Sequence, residues 1–288
     1  MKRFACISNS QSGTAPATQD IVGSFRKAGG QVECLAIQKG QAAITEIVKG
    51  GGYAAIVAAG GDGTVNLAAE IAIELGLPLG VLPVGTLNHF AKDVGIPLGL
   101  DEATETVCSG KLQPVDFCTV NDKVFLNNAS IGMYPSMVLD RDSKKYGSKW
   151  LATVTAFSAA LFRDHRLRAT IKVETSTISL RSPMLFIGNN RYELERIGFT
   201  KRDHLTSGKL FLYIVKTNRV TSLILIALLS LVGMRHRKAD IIRETSESIV
   251  ITTGQKNLTV AVDGEVVHLD SPLTFTMHAG GLEVFVPS

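Results

Sequence analysis

The sequence predicts an α/β fold joined to an all-β one: an N-terminal doubly wound α/β domain, then a C-terminal antiparallel β-sandwich. Three observations predict it. Short apolar runs alternate with helix-length segments up to about Gly110, the pattern of a parallel sheet with helices on both faces. After about Lys111 the runs follow one another with turn residues between them, as antiparallel strands do. Three polar or glycine-rich loops close the early runs, and ligands of open α/β sheets bind beyond the carboxyl ends of the strands.

The first strands are read at Phe4–Ser8, Val32–Ile37, Ala54–Ala58 and Leu79–Leu82, with helices near Ala17–Ala28, Ala42–Lys49 and Val65–Leu75. The later strands are read at Val115–Val120, Val124–Ile131, Arg168–Val173, Ser179–Ile187, Leu210–Val215, Ile249–Thr252, Leu258–Val262, Leu273–Met277 and Leu282–Val286. Turns are expected at Asn121-Asp122 and Gly280-Gly281, and two further helices at Lys149–Leu161 and Thr221–Leu231. The boundary is expected between residues 112 and 113, with the last strand free to pack back on the first domain.

The 45% hydrophobic content supplies cores for two domains, and 19% charged residues argue against disorder. Charge is uneven. Residues 1–144 hold eleven Lys and Arg against fourteen Asp and Glu, and residues 145–288 hold nineteen against twelve. The positive half suits an anionic surface as well as it suits scattered solvated side chains. The four cysteines form no Cys-x-x-Cys pair, which suits a reducing compartment. Neither a signal peptide nor a bilayer-length apolar stretch is read, so a cytoplasmic chain is expected. Nothing suggests nucleic acid as a partner.

The sharpest signal is Gly60-Gly61-Asp62-Gly63-Thr64-Val65-Asn66, between an apolar strand and a helix. Glycines there let a backbone close on a phosphate, and amides opening a helix favour an anion. Asp62 suits such a site if Mg²⁺ stands between carboxylate and phosphate. Asn9-Ser10-Gln11-Ser12-Gly13 ends the first strand with small polar groups suited to phosphate, or to an ordinary turn. In Pro83-Val84-Gly85-Thr86-Leu87-Asn88-His89-Phe90-Ala91, Thr86 or Asn88 either caps a helix or reaches a nucleotide. Late in the chain, Val262-Asp263-Gly264-Glu265-Val266 reads as a hairpin turn or as two carboxylates placed for proton transfer. No P-loop or dinucleotide fingerprint is present.

In this order the four motifs resemble the diacylglycerol kinase catalytic-domain family, which includes bacterial lipid kinases and sphingosine kinases. The Gly60–Thr64 motif is shared with NAD kinases; the Pro83–Ala91 and Asp263–Glu265 motifs narrow it to the lipid kinases. The resemblance implies an active site in an interdomain cleft, ATP with Mg²⁺, and a lipid hydroxyl such as that of diacylglycerol as acceptor, in phospholipid biosynthesis. It implies that Asn9, Ser10, Gln11, Ser12, Gly13, Gly60, Gly61, Asp62, Gly63, Thr64, Val65, Asn66, Gly85, Thr86 and Asn88 hold ATP. Glu265 is the implied proton acceptor, with Asp263 beside it, and Asp62 works through the metal.

Departures are visible. Ser10 replaces a proline, and His89 replaces an aspartate, which removes a carboxylate near the metal. The family's Asp-Asp-Gly stretch, a structural Mg²⁺ site in bacterial members, looks like Thr206-Ser207-Gly208 here. Asp116 matches a family aspartate and stands as a second metal ligand. The Thr221–Val232 segment, followed by Arg235-His236-Arg237-Lys238, is a core helix or a helix lying on an anionic membrane face, and Trp150 is an interfacial anchor or a partly buried ring. The expectation is a kinase docking peripherally on the inner membrane face, with homodimerisation open. Two other readings stand beside it: a soluble-acceptor kinase of the NAD kinase type, and a non-catalytic lipid- or nucleotide-binding regulator.

Overall fold

A computed structural model of the chain describes residues 1–9, 16–132, 167–174, 176–193, 201–202, 205–215 and 241–288. Ser10 to Gly13, Trp150, the 149–161 and 221–231 helices and the basic cluster at 235–238 lie outside the described residues. Two compact units emerge, Met1–Phe117 with Ala279–Ser288, and Cys118–His278.

The first unit opens with strand β1 (Arg3–Ser8), helix α1 (Thr18–Lys27), strand β2 (Gln31–Ala36) and helix α2 (Gln41–Gly51). Strand β3 (Ala55–Gly60), helix α3 (Asp62–Leu75), strand β4 (Leu79–Pro83) and helices α4 (His89–Asp93) and α5 (Leu100–Ser109) follow. The strands lie in the order β2-β1-β3-β4, all parallel. Parallel strands covered on both faces read as unbroken apolar runs, and every residue of β3, Ala55 to Gly60, is buried. Helix α1 packs against α5, and α2 against α3. The order reverses at β1, whose neighbours are β2 and β3. That reversal opens a crevice at the strands' carboxyl ends.

Strand β5 (Lys111–Val120) passes from the first unit into the second, and Asn121-Asp122 turns it into β6 (Lys123–Phe125) as expected, with Asn121 at φ 51°. The second unit continues with β7 (Asn128–Gly132), β8 (Leu167–Val173), β9 (Ser176–Ser182), β10 (Met184–Asn189), β11 (Tyr192–Glu193) and β12 (Lys201–Arg202). Then come β13 (Leu210–Val215), β14 (Ile241–Ser246), β15 (Ser248–Thr253), β16 (Asn257–Val262), β17 (Glu265–Asp270) and β18 (Leu273–Val286). An antiparallel sheet runs β14-β13-β10-β7-β16-β17, while β15 lies between β8 and the start of β18, with β9 beyond β8. Ile131, Leu185, Ile187, Leu212 and Val260 from the first set meet Ile171, Ile249, Ile251 and Phe275 from the second in one buried cluster. Phe275 meets Phe125 edge-on, centroids 6.4 Å apart. The fold is thus mixed α/β with a separate antiparallel sheet.

Several boundaries differ from expectation. The 124–131 run is two strands, β6 and β7, interrupted at Leu126 and Asn127, and the 179–187 run breaks at Pro183, which has no N–H for a ladder. Gly280-Gly281 is no turn: both lie inside β18. Gly280 takes φ 60°, and its N–H bonds the Asp116 carboxylate at 2.8 Å. Helix α5 was not anticipated, although Gly99 precedes Leu100-Asp101-Glu102, an acidic first turn of the kind that suits a helix dipole.

Candidate functional site

In the first unit the site is made chiefly of backbone. Helix α3 begins at Asp62, one turn earlier than the apolar pattern suggested, because Gly61 caps it: the Thr64 and Val65 N–H groups donate to the Gly61 carbonyl at 2.9 and 3.1 Å. Strand β3 therefore runs into a 14-residue helix with no intervening loop. The first amides of α3 face the crevice end of the sheet, where a helix dipole favours an anion. Neighbouring strands bring their own carboxyl ends alongside. Ser8 of β1 pairs with Ala59, and Pro83 of β4 pairs with Gly60. So Asn9, Gly61 and Val84 leave from adjacent strand ends.

Glycine is required twice here. A Cβ on Gly85 would stand 2.3 Å from the Gly61 Cα, so the two backbones touch. A Cβ on Gly60 would meet the Thr64 hydroxyl at 2.3 Å. Thr64 is thus folded inward against Gly60, at 5% exposure, and Val65, at 3%, belongs to the core. Neither side chain is presented to a ligand, so any contact from these two positions is through the backbone. Gly63 and Thr86 are exposed, and Asn9, Asp62 and Asn66 are half-buried.

Asn88 turns inward. In left-handed conformation at φ 52°, it accepts the Gly85 N–H at 3.1 Å and donates to the carbonyls of Pro83 (2.9 Å) and Gly85 (2.8 Å). It does stand at the N-terminus of α4, but its side chain shapes its own loop and makes no cap bond. Asp62 ties that loop to α3 by accepting the Phe90 N–H at 3.3 Å.

The donor set fits Mg²⁺ in one way only. Mg²⁺ takes one or two carboxylates and fills its octahedron with phosphate oxygens and water. Asp62, at the helix start, suits that sharing. His89 is exposed, and among the described residues no three His, Cys, Asp or Glu side chains come together. Asp116 is 2% exposed and holds the Gly280 backbone. Thr206-Ser207-Gly208 does not fit a structural Mg²⁺, for it offers no carboxylate and Ser207 is engaged by Asn190.

In the second unit, Asp263-Gly264 is the hairpin turn. Val262 pairs with Glu265, and the two residues between them take φ 47° and 85°, the left-handed pair of a two-residue hairpin turn. Asp263 is also a hydrogen-bond hub. Its Oδ1 accepts the N–H groups of Asn127 (2.9 Å) and Asn128 (2.8 Å), and its Oδ2 accepts that of Leu126 at 2.7 Å. Those amides lie where β6 gives way to β7, so the carboxylate satisfies backbone that the strand break leaves without a ladder. Glu265, first residue of β17, is exposed. The turn holds one carboxylate inward and presents the other.

Sequence reasoning missed the residues behind this hub, Asn189, Asn190 and Ser207. The available signal was Asn189-Asn190 closing the apolar run Leu185-Phe186-Ile187; two amides that end a buried strand need partners.

With the geometry in place, the chain can be compared with known proteins. Residues 3–120 match the model of the diacylglycerol kinase catalytic domain, about two fifths of the chain. Among curated relatives, a Citrobacter koseri protein named "Probable lipid kinase YegS-like" is 30% identical over 182 residues, 60% of each chain. A Klebsiella pneumoniae protein of the same name is 38% identical over 92 residues, 31% of each. The chain spans no more than three fifths of the length of these relatives. A Bacillus anthracis structure described as a "putative diacylglycerol kinase" superposes with a TM-score of 0.75 at 20% identity, covering 99% of this chain and 96% of that one. That likeness establishes the fold. No helix among the described residues is long and apolar enough to cross a membrane.

Proposed function

We propose that the chain is an ATP-dependent lipid kinase that transfers the γ-phosphate to a lipid hydroxyl such as that of diacylglycerol. The observation that carries this is the phosphate seat of the first unit: the opening of α3, stripped of side chains by Gly60 and Gly61, with the ends of two neighbouring strands beside it. The lipid class rests on the family match and on the names of the relatives.

In this reading the α3 amides hold the triphosphate, and Asp62 keeps an oxygen for a hydrated Mg²⁺, which supplies charge neutralisation when bound. The Glu265 carboxylate accepts the hydroxyl proton as the acceptor oxygen bonds to the γ-phosphorus and the bond to the β-phosphate oxygen breaks, releasing ADP. Asp263 orients Glu265 by holding three backbone N–H groups behind the turn. Positioning and charge neutralisation carry such reactions. The protein would work at a membrane surface without spanning it, and doubly wound and sandwich architectures would describe its two domains.

The non-catalytic reading draws on one observation: exposed His89, which cannot neutralise a cation when neutral, stands where the family has a carboxylate. Transfer from γ-labelled ATP with Mg²⁺ into a mixed lipid extract in detergent micelles separates the cases. A labelled lipid band that is lost in Asp62→Ala and Glu265→Gln supports the lipid kinase. Label only in a water-soluble product supports the NAD kinase type, and ATP binding without label supports the regulator.

A further inference from the structure

A chain of amides runs behind the Asp263 turn, all within the second unit. Its first link is Ser207, whose N–H donates to Asn190 Oδ1 at 3.0 Å and whose hydroxyl donates to the same oxygen. Asn190 Nδ2 donates to Asn189 Oδ1 at 2.9 Å. Asn189 Nδ2 donates to the Leu126 carbonyl at 2.8 Å, and the Asn189 N–H donates to the Asn127 carbonyl at 2.8 Å. Both asparagines are wholly buried.

The ends of the chain dictate its direction. A backbone N–H only donates, so Asn190 must offer Ser207 its oxygen, which turns its NH₂ toward Asn189. A carbonyl only accepts, so Asn189 must offer Leu126 its NH₂, which leaves its oxygen for Asn190. Neither amide can flip without setting like groups against each other at both of its ends. Hydrogen bonds aligned in this way polarise one another, and in a buried site a broken link leaves a desolvated group unpaired.

The chain ends on the segment that Asp263 grips from the other side. Leu126 and Asn127 give their carbonyls to Asn189 and their N–H groups to the Asp263 carboxylate, while the Asp263 N–H donates to the Asn128 carbonyl at 2.9 Å. Residues 126–128 thus act as a plate clamped between Asn189 and the turn that presents Glu265. Asn190, at φ 69°, bends the chain away from β10 so that its side chain can reach Ser207.

We infer that Ser207, Asn190 and Asn189 are positioning residues: through residues 126–128 they hold the Asp263-Gly264 turn, and with it the Glu265 carboxylate, in place. The role assigned to Glu265 rests on the kinase reading above; the clamp itself does not. The relay from Ser207 is neutral and contains no carboxylate, and the geometry of the turn is independent of divalent cations.

Amide hydrogen exchange tests the clamp without reference to activity. Asn190→Gly keeps the left-handed backbone and deletes both links. Exchange at Leu126, Asn127 and Asn128 should rise at least tenfold, while that at Ile56–Ala59 of β3 stays at the wild-type rate. Ser207→Ala, the milder variant should Asn190→Gly misfold, should raise exchange at the same three amides less, and Ser207→Thr should restore it. EDTA should leave wild-type exchange at these amides unchanged. In the transfer assay, Asn190→Gly should lower kcat about tenfold and leave KM for ATP unaltered. Wild-type exchange at 126–128 in both deletion variants, or an EDTA-induced rise, overturns the clamp. Raised exchange with kcat unchanged overturns the link to Glu265. If wild type labels no lipid, the kinase reading fails while the exchange result still decides the clamp.

Discussion

The two units build their candidate functional elements by opposite means. In the first, the candidate surface is backbone: amides at the start of α3, with two glycines whose chains touch at positions 61 and 85. In the second, it is a side chain presented by a turn, and the turn is held by carboxylate and amide groups with few geometric alternatives. A backbone site is damaged by adding atoms, and a side-chain scaffold by removing them.

Asp263→Ala should therefore have the largest effect. It leaves three backbone N–H groups without their acceptor, each costing about 1–3 kcal/mol if water does not reach it. The second unit should lose about 3 kcal/mol or more, read as a thermal midpoint lower by roughly 6–12 °C, and lipid phosphorylation should vanish. A midpoint within 2 °C of wild type would mean that the carboxylate is not structural. Glu265→Gln, two residues away at the exposed first position of β17, should lower turnover by about 10²–10⁴ and change stability by no more than about 0.5 kcal/mol. An equal loss of stability in both variants would erase the division between a holding and a presented carboxylate.

In the first unit the contrast lies between two glycines. Gly85→Ala puts a methyl group against the Gly61 backbone at 2.3 Å, so a strand end must move, at a cost of about 1–3 kcal/mol. Gly61→Ala meets Gly85 Cα at 3.5 Å, an ordinary contact, and its φ of −89° suits any residue. It should fold normally, yet ATP affinity should fall about tenfold, or 1.4 kcal/mol, because the methyl group enters the phosphate seat. Unaltered ATP affinity in Gly61→Ala would place the triphosphate elsewhere.

The same division explains what the sequence made legible. Parallel strands, glycine turns and hairpin turns are local, and Phe4–Ser8, Gly60–Gly63 and Asn121-Asp122 announce themselves through apolar runs and turn residues. The Asp263 clamp is not local. Its partners lie 135 to 137 residues away in the chain, and nothing in the composition of residues 126–128 says that their amides need a carboxylate. Gly280-Gly281 misled because two glycines mark a turn by propensity, whereas here Gly280 bends a strand whose N–H is taken up by Asp116, 164 residues away. Asn88 lay between the two cases: its loop was legible, but the direction of its side chain was set by three carbonyl and amide groups of that loop.

The smallest expected effect asks whether side chains of the first unit matter to its site at all. Glu33 on β2, half exposed, takes a hydrogen bond from the Tyr53 hydroxyl at 2.7 Å and an ion pair from Arg3 at 2.6 Å, and these partners, the hydroxyl first, hold its carboxyl below the usual range. A carboxylate with a lowered folded-state pKa contributes stability that is complete above its unfolded value, near 4.3, and is lost as pH falls through the lower folded one. Glu33→Gln should therefore melt below wild type at pH 7, and the gap should close as pH drops below about 4. Solvent screening confines the gap to the scale of an exposed pair, about 0.2–1 kcal/mol. ATP affinity should not move at any pH in this range, because β2 contributes an edge and the seat is backbone on β3 and α3. A pH-dependent change in ATP affinity would show that side-chain electrostatics at the sheet edge reach the phosphate seat, and the distinction between a backbone-built element and a side-chain-built one would fail there first.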